Sequence, residues 1–463
     1  FYLARARRII PALLVLCLLL LGIGWFTLPT FDYKQLATHS IAAVVFLSNV
    51  KFWREAGYFD AASHDKWLLH TWSLSVEWQF YLLFPVLLML LWRLAPGRRA
   101  AIIALMVGFV MSLSLSIGLT LEHPSAAFYS LQTRAWELFA GGLVYLLAAQ
   151  WKLGQTKARL LEATGFLLIV AAATRISVST PWPGALALLP VSGAVLVLLA
   201  GRQGSAWTQP APLQVLGNWS YSIYLWHWPL VVALVYLEIA DQPVAVVIAM
   251  ALSILLGWLS YAWVENPARR QLARPALLPA TAVFASLLLL VAMPAFAVWL
   301  NSGVPGRLSP EVELSAEEAQ NFNKMRREKC HGWGGYDFKS CIHGGPQISA
   351  ILVGDSHASA VATAIQQVLP SPDHGLLTFT YTSCPTIFGV QKRDRPDLKC
   401  AEFNDWVMQE IAEVSAEIPL IIVNRTSGNV FGSNRPDEAG FGQPSAYFSE
   451  AVDQPTEAFK AEF

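Results

Sequence analysis

Long apolar runs fill the first 300 residues of this chain, and no other feature constrains its fold as tightly. They lie at roughly 9–29, 68–92, 101–121, 134–150, 160–176, 184–200, 213–238, 243–264 and 277–300. Crossing a bilayer's hydrocarbon takes about 17–25 apolar residues as a helix, because a helix satisfies its own backbone hydrogen bonds there. The expected architecture is a polytopic α-helical membrane domain of about nine spans. Only 14% of the residues are charged, against about 25% in soluble domains. That excludes a typical cytosolic enzyme and a disordered chain. Lys+Arg and Asp+Glu both number 32, so no net field recruits an anionic polymer and a nucleic-acid partner is not expected. The 18 Trp and 24 Phe suit an extensive lipid interface.

A further run, 36–50, is short and contains His39, Ser40, Ser48 and Asn49. Basic residues favour cytoplasmic loops, and their positions decide how to treat it. Arg5, Arg7 and Arg8 precede the first span. If 36–50 does not cross, Arg93/Arg98/Arg99, Lys152/Lys157/Arg159, Arg202 and Arg269/Arg270/Arg274 all fall inside as well. If it crossed, every later cluster would flip outside. We therefore expect 36–50 to be re-entrant or interfacial, with the C-terminal part emerging outside.

The character of the chain changes at Asn301–Pro310, a Gly/Pro-containing linker. The expected division is a membrane domain at 1–300, a linker or periplasmic extension at 301–345, and a soluble domain at 346–463. Cys330, Cys341, Cys384 and Cys400 all lie beyond the boundary, and none forms a C-x-x-C. That usage points to disulfides in an oxidising compartment, and sequential pairing is expected, Cys330 with Cys341 and Cys384 with Cys400. Zinc is the rival reading, but metal knuckles want tighter pairs, so no metal is expected. Cys17, within the first span, reads as a small buried hydrophobe. The chain starts at Phe1 without a signal peptide, which reads as a fragment of a longer protein.

In the soluble part, Ile348–Val353 has a buried-strand pattern and Ala358–Leu369 is apolar at helical spacing. Between them Gly354-Asp355-Ser356-His357 makes a strand-to-helix turn. Ser356 then stands at a helix N-terminus, where free N–H groups can stabilise an oxyanion. The bland alternative is a helix cap, since Asp and Ser are ordinary caps. A helix at Glu402–Glu417 and a strand at Ile418–Val423 follow, and strand–helix–helix–strand order predicts an α/β layer fold. Asn424, just past that strand, is a weak oxyanion candidate; a turn residue is the plainer reading.

Ionisable residues inside a membrane domain default to functional hypotheses. His70, Ser73 and Glu77 share a helical face. Arg134 and Glu137 are spaced i, i+3, and His227 lies deep in a span. A neutral, hydrogen-bonded structural histidine is the plain alternative for His227.

Gly354-Asp-Ser-His resembles the first block of the SGNH hydrolase superfamily. The resemblance implies that Ser356 is the nucleophile, that its N–H helps form the oxyanion hole, and that Asp355 shapes the turn. His357 is typical of the subgroup fused to membrane acyltransferases. Arg5-x-x-Arg8 with Pro11, His70–Pro85, Arg134–Gly142, Gly217–Pro229 and Ser260–Pro267 together resemble the acyltransferase-3 family of integral membrane acyltransferases, over about residues 1–270. That resemblance implies transfer of an acyl group, usually acetyl, from cytoplasmic acyl-CoA to a sugar hydroxyl. The acceptor in fused members is an extracytoplasmic glycan such as O-antigen. It also implies a multi-pass protein of the bacterial inner membrane with a periplasmic C-terminal domain. No cofactor is expected to be bound; acetyl-CoA is a donor substrate. Arg5 and Arg8 suit the CoA phosphates, with simple positive-inside anchoring as the plain reading.

The catalytic bases that both families imply are not found. The superfamily's Asp-x-x-His does not occur: Glu328, Ser340, Gly354 and Ser371 stand three residues before His331, His343, His357 and His374. We expect that base beyond Phe463, and the membrane family's catalytic histidine before Phe1. His70 and His227 are expected to shape the channel rather than to replace it. The competing functions are a membrane-anchored esterase removing acyl groups, for which so many charged spans are excessive, and a transporter or flippase. The last predicts an inverted repeat that the sequence does not show.

Overall fold

The computed structural model describes residues 1–56, 65–148, 153–177, 180–272, 277–319, 329–393, 395–414, 416–425, 429 and 446–448. The chain divides into two units, Phe1–Glu313 and Leu314–Phe463.

The first unit is helical. Its elements are α1 (Tyr2–Thr27), α2 (Thr30–Val44), α3 (Ser48–Glu55), α4 (Thr71–Leu94), α5 (Arg98–Glu122), α6 (Pro124–Tyr129), α7 (Leu131–Ala148), α8 (Gln155–Arg175), α9 (Leu188–Ala200), α10 (Ala211–Tyr236), α11 (Pro243–Ser260), α12 (Asn266–Gln271), α13 (Leu277–Leu300) and the first residues of α14 (Pro310–Ala319), within which the division falls. A π-helical turn at Tyr261–Glu265 joins α11 to α12. The described part of each apolar run lies largely in a helix. Among the described residues, however, five helices are long and apolar enough to cross a bilayer: Tyr2–Thr27, Thr71–Leu94, Arg98–Glu122, Pro243–Gln271 and Thr281–Leu300. The expected count of nine is not reached on that measure. α7 opens with Arg134 and Glu137, α8 carries Lys157, Arg159 and Glu162, and α10 carries Asn218, Ser220, Ser222 and His227. The apolar helix Ala185–Ala200 is short.

Segment 36–50 is not one helix. α2 stops at Val44, Phe46 adopts a left-handed φ of 55°, and α3 starts at Ser48. Its polar residues are satisfied internally. His39 Nε2 meets Glu55 at 3.0 Å, Ser40 bonds Leu36 O, and Asn49 and Gln79 exchange amide contacts. α1 is the most enclosed of the long helices, packing its Leu13, Leu16, Cys17 and Leu20 against α2 and α13. Cys17 is free and buried, as a small hydrophobe would be. The chain after α13 folds back: the Arg307 guanidinium donates to Gly24 O and Leu28 O at 3.3 and 3.0 Å and lies 4.3 Å over the Tyr33 ring.

The second unit contains β1 (His331–Gly332), β2 (Ser340–Gly344), β3 (Gln347–Gly354), α15 (Ser356–Gln367), β4 (His374–Tyr381), β5 (Val390–Lys392), α16 (Cys400–Ala412), β6 (Leu420–Val423) and β7 (Ala446–Phe448). β1, β4, β3 and β6 are parallel in that order, and β2 pairs antiparallel with β4. The expected α/β layer is present, with three strands, β1, β2 and β4, beyond the two that strand–helix–helix–strand order predicts. β4 lies between the two helices, at the centre of the sheet. Its run His-Gly-Leu-Leu-Thr-Phe-Thr-Tyr is buried on both faces, and such strands lose the alternating pattern. The inward Thr378 and Thr380 are satisfied by Cys341 O and Cys330 O. β1 and β2, inside 301–345, are strands of this sheet.

α16 covers one sheet face, burying Phe403 and Val407 against Ile351, Val353, Phe379 and Tyr381. α15 covers the other, burying Ala358 and Ala362 against Ala350, Leu352 and Leu376. The chain leaves β3 toward β4 on one side and returns to β6 on the other. The carboxyl end of β3 is thus the topological switch point, where α/β sheets bind their ligands.

Candidate active site

Gly354 ends β3 at that switch point. Its φ is +153°, and a Cβ there would stand 2.0 Å from the Val423 carbonyl oxygen. Only glycine lets β6 approach so closely. Asp355 follows as the α15 N-cap, almost fully buried at 2% exposure. Its Oδ1 accepts from the His357 N–H at 2.8 Å and meets His357 Nδ1 at 3.0 Å; its Oδ2 accepts from the Arg425 N–H at 3.0 Å. The carboxylate therefore shapes the turn and ties it to the loop after β6. Ser356 is the first residue of α15 and half-buried, and the His357 side chain is half-exposed.

Asn424 lies between Val423, which pairs with Gly354, and Arg425, which bonds Asp355. Its Oδ1 accepts from Thr386 Oγ1 at 3.2 Å, and its Nδ2 is buried with no partner among the described residues. No histidine or carboxylate among the described residues hydrogen-bonds Ser356 Oγ. His331 lies at the same sheet edge but is held by Thr380 and Thr382 at 3.0 and 2.9 Å. Burial pushes the neighbouring Tyr381 phenol above its ordinary range, and its hydroxyl donates to Gly335 O at 2.7 Å.

The disulfides are Cys330–Cys341 and Cys384–Cys400. The Cys330 and Cys341 sulfurs lie within 4.8 Å of a His343 ring nitrogen, but two sulfurs joined to each other offer no thiolates to zinc.

In the helical unit the charged motifs meet along α1, α4 and α10. Arg5 lies 5.0 Å over the Tyr81 ring, and Glu77 hydrogen-bonds Tyr81 and faces Arg5 and Arg8. Arg8 Nε stands 3.9 Å from Glu265, which Arg269 approaches at 3.6 Å and Ser222 Oγ bonds at 3.0 Å. Tyr221 donates to Ile9 O at 2.7 Å. Tyr224 meets Ser73 Oγ at 2.6 Å and also donates to His70 O. The His70 ring packs 5.3 Å from Tyr224 and 5.9 Å from His227, whose Nδ1 donates to Tyr224 O at 2.5 Å. Polar side chains thus succeed one another from Arg5 to His227; Tyr81 stands eleven positions along from His70, the α4 N-cap, about 16 Å of rise. His70, Ser73, Glu77, Arg5, Arg8 and His227 are brought together. Arg134 and Glu137 pair at 3.2 Å elsewhere, with Arg134 over Trp72. Glu265, 1% exposed, was not singled out from the sequence. A carboxylate inside an apolar span ahead of Asn-Pro is the signal that could have found it.

Residues 1–262 match the family model described as an acyltransferase domain. The chain belongs to this acyltransferase family. Residues 329–462 match a second model, the SGNH domain fused to such domains. Among curated relatives is the "Putative membrane-bound transacylase BcsY" of Komagataeibacter xylinus, 33% identical over 273 residues, 58% of this chain and 68% of the relative. The "Putative peptidoglycan O-acetyltransferase YrhL" of Bacillus subtilis (strain 168) is 28% identical over 298 residues, 58% of this chain and 45% of the relative. The "O-acetyltransferase OatA" of Staphylococcus aureus (strain NCTC 8325 / PS 47) is 26% identical over 289 residues, 58% of this chain and 47% of the relative. The chain spans about half the length of the last two. No solved structure matches it significantly.

Proposed function

We propose that this chain is a membrane O-acyltransferase moving an acetyl group from cytoplasmic acetyl-CoA to hydroxyls of a cell-envelope glycan such as O-antigen. The observation that carries the reading is the succession of polar side chains from Arg5 and Arg8 through Glu77, Ser73 and Tyr224 to His70 and His227, within a unit rich in apolar helices. An anchor needs none of these, and each is costly in hydrocarbon unless used.

The roles follow from the chemistry of each group. Arg5 and Arg8 meet the CoA phosphates at the inner face, where guanidinium forks suit phosphate oxygens. Glu77, Ser73, Tyr224, His70 and His227 line the way outward, with Arg134–Glu137 bracing the outer end. The apolar runs cross as nine spans, segment 36–50 dips without crossing, and the C-terminal domain is periplasmic, in the bacterial inner membrane. In net terms the thioester C–S bond of acetyl-CoA breaks, CoA–SH leaves carrying the serine proton, and Ser356 Oγ holds the acetyl group as an acyl-enzyme ester. Its own N–H and Asn424 Nδ2 stabilise the oxyanion, Asp355 holds the turn, and the sugar hydroxyl then displaces the serine. His357, held by Asp355, sits beside the nucleophile.

Membrane vesicles supplied with the glycan and labelled acetyl-CoA test this. A transferase labels the glycan only with donor present. Donor-independent loss of glycan acetyl groups would identify an esterase instead.

A further inference from the structure

Asn424 Nδ2 is a buried amide donor without a partner among the described residues, and such a group asks for an explanation. The explanation begins at Thr386. Pro385 O accepts the Ile387 N–H at 2.9 Å, closing a three-residue turn with Thr386 at its apex. Asn404, 3% exposed on α16, grips both sides of that apex, its Nδ2 donating to Pro385 O at 3.0 Å and Ile387 O at 2.7 Å. The Cys384–Cys400 disulfide fastens the same turn to the start of α16. A residue held on three sides has a fixed side-chain direction, and the Thr386 hydroxyl is directed at Asn424 Oδ1, 3.2 Å away.

That contact sets which way the Asn424 amide faces. With Oδ1 accepting from Thr386, Nδ2 turns away from it. Val423 and Arg425, on either side, are tied to Gly354 and Asp355, so Asn424 stands at the sheet edge where Ser356 starts α15. We propose that Thr386 is a positioning residue for acyl transfer at Ser356, holding the Asn424 carboxamide in the one of its two orientations that presents N–H rather than oxygen to the oxyanion. The inference rests on the reading of Ser356 as nucleophile. A flipped amide would present a lone pair to a developing negative charge, so orientation matters more than location.

The test uses full-length protein in detergent with p-nitrophenyl acetate as acyl donor. Thr386→Val keeps the shape and removes the hydroxyl; its kcat should fall about tenfold with KM unchanged, the scale of one hydrogen bond. Thr386→Ser should restore most of the rate. Asn424→Ala and Asn424→Asp, each without the donor, should lose about 100-fold. Adding Thr386→Val to Asn424→Ala should cost nothing more. A wild-type kcat in Thr386→Val, or losses that multiply in the double variant, overturns the proposal. Unchanged turnover in Ser356→Ala overturns the underlying reading instead. Should Thr386→Val fail to fold, the Ser variant decides: a rate matching Asn424→Ala contradicts the proposal.

Discussion

Asp355 Oδ2 accepts the Arg425 N–H at 3.0 Å, joining two residues seventy positions apart, while Oδ1 caps α15 through His357 N. One buried carboxylate thus holds both the turn that carries Ser356 and the loop carrying Asn424. Asp355→Asn preserves the cap oxygen but sets an amide donor against the Arg425 N–H. An unpaired buried donor costs about 1–3 kcal/mol. We expect a matching drop in thermal stability and about a tenfold loss of Ser356-dependent hydrolysis. A variant with wild-type melting and turnover would remove Asp355 from this role.

Gly354→Ala should be more damaging. The new Cβ meets a backbone oxygen at 2.0 Å, which no side-chain rotation relieves, so β3 and β6 must separate. The expected loss is about 2–4 kcal/mol, read as early melting and protease sensitivity of the second unit. Trimming the Val423 side chain should not rescue it.

Removing the Cys384–Cys400 bond, which closes a separation of 16 residues, should cost about 3 kcal/mol. In Cys384→Ala/Cys400→Ala the turn holding Thr386 loses one of its ties, so Ser356-dependent turnover should fall before global unfolding. Comparing activity loss with melting over a temperature series checks this; coincident curves would contradict it. Under non-reducing conditions, a maleimide should label only Cys17, and only after denaturation, since the other four cysteines are paired.

Glu265→Ala strands the buried Ser222 hydroxyl and frees Arg8 and Arg269, both half-exposed. With that exposure the stability cost is about 1–3 kcal/mol. Arg8 loses an ion-pair partner 3.9 Å away, so KM for acetyl-CoA should rise about two- to fivefold, the worth of a partly exposed ion pair. Steady-state transfer in vesicles measures it, and an unchanged KM would detach Arg8 from donor binding.

Much of this architecture is legible in the residues, because long apolar runs and Gly-Asp-Ser-His between a strand and a helix obey local rules. Both disulfides follow from cysteine order. What escapes is non-local. β4 is hidden because a strand buried on both faces shows no alternation. Glu265 is hidden because its partners, Ser222 and Arg8, are distant in sequence. Thr386 is unremarkable until a disulfide and Asn404 bring it to Asn424. α7, α8 and α10 carry polar groups that dilute their apolar signal, so helices are easier to read there than crossings.

The most direct test of the central claim gives labelled acetyl-CoA to the cytoplasmic face of vesicles and follows label on the externally facing glycan. Wild-type protein should transfer the label, and Ser356→Ala should transfer none. Equal labelling by the two proteins would contradict a relay through Ser356.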